Sequence, residues 1–151
     1  MLIESILSLE RTQAKIEGSS KKRVLETLAQ VFAESVEGLD VEQLYQSFIN
    51  REKLGTTGIG GGIAIPHCRF NTGGETFGAC LTLNQPVDFD AVDNEPVDIV
   101  FAMLVPENAE SSHLELLAKL AERLQTPNYV KQLRAADNNE ALFHVASSPL
   151  P

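Results

Sequence analysis

Apolar positions recur at helical spacing twice in the first third of the chain. Val24, Leu25, Leu28, Val31, Phe32 and Val36 form one stripe behind Ser19 or Ser20, with Gly38 just past its end. Val41, Leu44, Tyr45, Phe48 and Ile49 form a second behind Asp40, with Gln43 in capping-box register. Both stripes predict amphipathic helices, and the second runs straight into Arg51, Glu52 and Lys53. The middle third changes period. Residues 63–65 read as a short buried strand and residues 77–83 as a strand bounded by Asn84, Gln85 and Pro86. Residues 97–105, the most apolar run of the chain, read as a central strand stopped by Pro106. Residues 71–75 form a turn, and residues 87–95 an acidic, partly extended connection turning at Asp93 and Asn94.

Helical spacing then returns. Leu114, Leu117, Leu120, Ala121 and Leu124 are expected to face the core behind Ser111 or Ser112, with Glu115 in capping-box register to Ser112. Thr126 and Pro127 open a short helix to Leu133, and Asp137 with Glu140 opens a last one through His144 and Val145. Residues 2–7 fit a short helix or an edge segment, residues 12–18 carry an unresolved strand-like alternation, and residues 147–151 read as a frayed tail. Helices, then strands, then helices imply an α/β sandwich.

Length makes this one domain, residues 1–151, large enough to bury a full core. A formal charge of -9 argues against a general nucleic-acid surface, which needs clustered Lys and Arg. No stretch approaches the roughly 20 apolar residues that span a bilayer, and the first ten residues do not resemble a signal peptide, so a cytoplasmic location is the expectation. Cys68 and Cys80 lack the close pairing of a metal or redox motif and are expected to be buried free thiols.

Five of the ten glycines fall within residues 55–62, ahead of Pro66 and His67. Glycine frees the backbone and lets N–H groups approach a ligand, so nucleotide cradles are tested first. Both fail. The dinucleotide spacing from Gly58 and Gly60 needs glycine where Ile63 stands, and the phosphate-loop spacing from Gly55 and Gly60 needs a lysine and a hydroxyl residue where Gly61 and Gly62 stand. Local charge says more. Between Arg51 and Gly73 the charged residues are Arg51, Glu52, Lys53 and Arg69, a cationic island in an acidic chain. Such an island favours a phosphate over a metal, and the N–H groups of Gly58, Gly60, Gly61 and Gly62 are expected to help hold it. An imidazole with a pKa near 6.5 is nucleophilic at neutral pH and takes and surrenders a phosphoryl group. His67 is therefore the candidate nucleophile. His113, in the first turn of a helix, is either a donor to phosphate on His67 or an incidental exposed residue. His144 is given no chemical role.

The run Gly58-Ile59-Gly60, followed by Gly62-Ile63-Ala64-Ile65-Pro66-His67, resembles the phosphorylation-site signature of enzyme IIA domains of the mannitol/fructose class of the bacterial sugar phosphotransferase system. Arg51-Glu52-Lys53-Leu54-Gly55, Pro86-Val87, Phe89-Asp90-Ala91, Asp93-Asn94, Pro96-Val97-Asp98, Leu104-Val105-Pro106 and His113-Leu114 with Leu117 extend the resemblance, to the nitrogen-regulatory branch, over nearly the whole chain. It implies a single IIA type-2 domain folded as a three-layer α/β/α sandwich around a mixed sheet, with helices on both sides. It also implies that His67 takes a phosphoryl group on Nε2 from a histidine-containing phosphocarrier protein, that His113 is a supporting histidine, and that Arg51 steadies the phosphate. No cofactor or metal is implied. The resemblance makes the chain a phosphocarrier that regulates partner proteins by its phosphorylation state. A sugar-transport IIA component passing phosphate to a IIB partner is the alternative, and a binding module that holds an anion without transfer is a third reading. Two positions depart from the branch: Gly61 stands where Asn is usual, and Cys68 where Gly is common.

Overall fold

The computed structural model describes residues 2–109 and 111–149. Among them are six strands, β1 (Thr12–Ile16), β2 (Gly58–Gly60), β3 (Ile63–Ala64), β4 (His67–Phe70), β5 (Phe77–Val87) and β6 (Val97–Pro106). Five helices accompany them: α1 (Lys21–Ser35), α2 (Val41–Leu54), α3 (Ser111–Arg123), α4 (Pro127–Ala135) and α5 (Asn139–Ser147). The sheet runs β1-β5-β6-β3-β2, with β4 also paired to β6. It is mixed: β5 lies antiparallel to β6, whereas β1 on β5, and β3 and β4 on β6, are parallel.

Strand alternation divides the core in two. Val100, Ala102 and Leu104 of β6 face α1 and α2, packing with Val24, Leu28, Phe32, Leu44 and Phe48. Ile99, Phe101 and Met103 face the other way, against Leu116, Leu120, Tyr129, Leu133 and Leu142 of α3, α4 and α5. The sheet is thus sandwiched between two helical layers, the three-layer arrangement that the order of elements implies. Cys68 and Cys80 are buried free thiols on opposite sides of it, both pushed up to about 12 by burial.

The helix starts follow their capping chemistry. Ser20 accepts from the Arg23 N–H, selecting Ser20 over Ser19, and Asp40 accepts from the Gln43 N–H. The last helix corrects its expected start: Asn138, and not Asp137, takes the capping bond, from the Ala141 N–H, while Asp137 pairs with Lys15 at 2.9 Å. In α3 the buried stripe is Leu116, Leu120 and Leu124, and Leu114, expected inside, is 64% exposed. Four leucines among residues 114–120 offer two stripes, and the i, i+4 one wins. Val41 likewise sits at the surface. The expected capping of α3 falls on the side chains of residues 111 and 112, which with residue 110 lie outside the described set; part of the expected tail falls on residues 150 and 151, also outside it. Ser147 still belongs to α5.

Three strand boundaries differ from the pattern. β5 does not stop at Leu83; its register slips between Thr82 and Val87, carrying exposed Asn84, Gln85 and Pro86 through a bulge before Val87 pairs with Val97. Residues 12–18 resolve into β1, and residues 2–7 into a short 3-10 turn that buries Ile3, Ile6 and Leu7. Strand β4 was unforeseen. It keeps the register of β3, since Ile63 pairs with Ile99, Ala64 with Val100, His67 with Met103 and Phe70 with Pro106. The two are one parallel strand interrupted at Ile65 and Pro66.

Candidate active site at the end of a broken strand

The interruption positions His67. Proline has no N–H to give a ladder, and the N–H of Ile65 turns aside to the carbonyl of Thr57. The Ile65 carbonyl meets the ring of His67, 2.8 Å from Nδ1. A carbonyl can only accept, so the proton sits on Nδ1 and the lone pair of the neutral ring is on Nε2. Burial and the charge of Arg51 hold His67 below the ordinary imidazole value, against the opposite pull of the Ile65 bond and of Glu52. At neutral pH His67 is therefore an uncharged ring whose nucleophilic nitrogen is fixed by the backbone.

His67 lines a cavity of about 490 Å³ that it shares with Arg51, Arg69, Cys68 and His113. No carboxylate lines it among the described residues. Glu52, counted within the cationic island, is turned away: its carboxylate accepts from the Thr57 N–H and hydroxyl and pairs with Lys21 at 2.9 Å. The cavity itself therefore carries two arginines unopposed on its walls. Arg51 donates to the Gly55 carbonyl at 2.9 Å, and Arg69 to the Ala109 carbonyl at 2.8 Å. Ser47, Asn50 and Leu54 also line it, residues missed by the sequence reading although Ser47 and Leu54 stand at i-4 and i+3 from Arg51 and Asn50 at i+3 from Ser47 on α2. Leu54 and Leu114 stand 85% and 64% exposed at this cavity.

The glycines lie elsewhere. The Gly62 carbonyl accepts from the N–H groups of Asp98 and Ile99, whereas His67 pairs with Met103, five positions along β6 and so about 16 Å away at ~3.3 Å per residue. Gly58 and Gly60 pair across a hairpin with Ala64 and Ile63. The Gly61 N–H donates to Asp93, and the Gly61 carbonyl accepts from Arg134, which also grips Asp98 through two nitrogens. Gly62 has φ +81°, and a Cβ there would come within 2.5 Å of the Arg134 guanidinium. Gly60 and Gly61 open onto a separate cavity of about 650 Å³ beside α4. The expected meeting of Gly58, Gly60, Gly61 and Gly62 with a phosphate on His67 is therefore not met: their residue type suits a tight, clamped turn. Of the expected site residues, the structure brings together His67, His113 and Arg51.

Fold and cavity define an α/β sandwich that gathers two imidazoles and two arginines in one cavity at the start of β4. Residues 5–148 match the family described as "Phosphoenolpyruvate-dependent sugar phosphotransferase system, EIIA 2", and the chain belongs to it, as a phosphotransferase component. The nitrogen regulatory protein of Pseudomonas aeruginosa is 44% identical over 143 residues, covering 95% of this chain and 93% of that protein. The crystal structure of nitrogen regulatory protein IIA-Ntr from Neisseria meningitidis superposes with a TM-score of 0.86 at 35% identity, covering 97% of this chain and 99% of that one. IIA mannitol from Escherichia coli shares the fold, with a TM-score of 0.74 at 17% identity over 92% of this chain and 97% of that one. No helix among the described residues is long and apolar enough to cross a membrane.

Proposed function

We propose that His67 accepts a phosphoryl group on Nε2 from the phosphohistidine of a small carrier protein, and that the change in charge decides which partner proteins the chain binds. The observation that carries this reading is the bond between His67 Nδ1–H and the Ile65 carbonyl, which leaves the Nε2 lone pair for phosphorus. In the transfer that lone pair forms the new P–N bond, the P–N bond to the carrier breaks, and its electron pair returns to the carrier's ring. No net proton moves. Arg51 and Arg69 supply positive charge for the phosphoryl oxygens. Exposed Leu54 and Leu114 beside the cavity suit a protein donor, which needs an apolar contact at its centre. The chain acts as a single IIA domain, and we place it in the cytoplasm, where such carriers work.

Regulation, in preference to delivery of phosphate to a sugar-specific IIB protein, is supported by 35% identity to the IIA-Ntr structure against 17% to that of mannitol IIA. Incubation with a carrier protein charged from radiolabelled phosphoenolpyruvate tests the acceptor. Wild type takes up acid-labile label and His67→Ala takes up none; undiminished label on His67→Ala refutes the assignment.

A further inference from the structure

His113 does not stand ready for a phosphoryl group. Its Nε2 lies 2.9 Å from the hydroxyl of Thr76, a residue only 8% exposed, just ahead of β5. Its Nδ1 is buried without a hydrogen-bond partner among the described residues. A buried N–H without an acceptor is rarer and costlier than a bare lone pair. The proton of the neutral ring therefore sits on Nε2 and is donated to Thr76. In this pose the one N–H of the ring is committed, and the other nitrogen is closed off with nothing to give. Phosphoryl oxygens accept only, so the ring has to leave Thr76 before it serves them.

Two features make that release accessible. A charged phosphoryl oxygen is a stronger acceptor than a neutral hydroxyl, and the orphaned Nδ1 already weakens the resting pose. We infer that Thr76 is a positioning residue: it parks His113 while His67 is bare and yields the Nε2–H when His67 carries phosphate. The inference rests on His67 being the acceptor. Its consequence is directional, because a contact made only in the unphosphorylated protein favours that form. Thr76 thus helps His67 give its phosphate up.

The test uses the full chain as wild type and as Thr76→Val, Thr76→Ala and Thr76→Ser, each equilibrated with the labelled phosphocarrier. Loss of the hydroxyl in Val or Ala is expected to raise the equilibrium fraction of phospho-His67 relative to carrier by about fivefold, the worth of one neutral hydrogen bond. Ser, which keeps the hydroxyl, restores the wild-type ratio. Long-range proton–nitrogen NMR on the unphosphorylated protein is expected to show His113 protonated on Nε2 in wild type and as a mixture of tautomers in Thr76→Val. An unchanged or lowered phospho fraction in both hydroxyl-less variants overturns the inference, as does an Nδ1-protonated His113 in wild type. Absence of label from wild type, or its persistence in His67→Ala, overturns instead the reading of His67, and the release with it.

Discussion

Strand β6 has two ends, and they are built on opposite principles. At the Asp98 end the polar groups of the glycine turn are closed on one another: Asp93 takes the Gly61 N–H, and Arg134 ties Asp98 to the Gly61 carbonyl. At the Met103 end the groups with chemistry are left incompletely committed. Among the described residues His67 has a free Nε2, His113 has an orphaned Nδ1, and two leucines stand in solvent. The glycine-rich end looks like a ligand cradle and is a clasp, whereas the candidate active-site end carries no glycine on its lining among the described residues. Backbone permissiveness marks where the chain turns tightly; unsatisfied polarity marks where it acts on something else.

Substitution at each end separates the two roles. Gly62→Ala has the largest expected effect on the clasp end. The new methyl meets the Arg134 guanidinium and the backbone stays in the left-handed region, so stability should fall by about 2–4 kcal/mol. Chemical denaturation measures this, and the folded fraction should still take label on His67. A stable variant that fails to label would reverse the assignment of the two ends. Arg51→Ala is the counterpart. Removing one charge from the cavity is expected to slow phosphoryl acceptance by about tenfold, while stability changes by less than about 0.5 kcal/mol. Stopped transfer kinetics against carrier concentration read the first, and denaturation the second.

The smallest effect is in the titration of His67. Its pKa should lie below about 6.5 by NMR and rise in Arg51→Ala, since burial and the Arg51 charge depress it. The sign for stability follows. Between about 6.5 and the lower folded value, the unfolded chain binds a proton that the folded ring refuses, so stability falls as pH drops through that window. Above about 6.5 the contribution is constant. A His67 pKa that does not rise in Arg51→Ala would remove the electrostatic role of Arg51.

The layers and the histidine that lines the cavity were legible because they depend on local pattern: two capped helical stripes, an apolar run in residues 97–105, and a histidine among positive charges. What escaped the sequence depends on pairing between distant residues. Strand β4 spans four residues and shows no alternation of its own; it forms because β6 supplies its ladder. The clasp requires Arg134 to reach Gly61 across 73 positions. Leu114 carries the same apolar signal as Leu116, and only the docking of α3 decides which is buried. Thr76 carries no signal at all until the fold sets its hydroxyl beside His113.

The proline break in the strand also ties the state of the His67 ring to the pairing of the residues that follow it. The carbonyl that places the proton on His67 belongs to Ile65, at the break, and the ring it meets stands on the first residue paired with β6. A chain in which that pairing is open is expected to carry the same histidine as a mixture of tautomers. On the proposal that His67 is the acceptor, uptake of phosphate is expected to fall when that pairing opens. Label uptake becomes a gauge of native strand pairing as much as of donor supply.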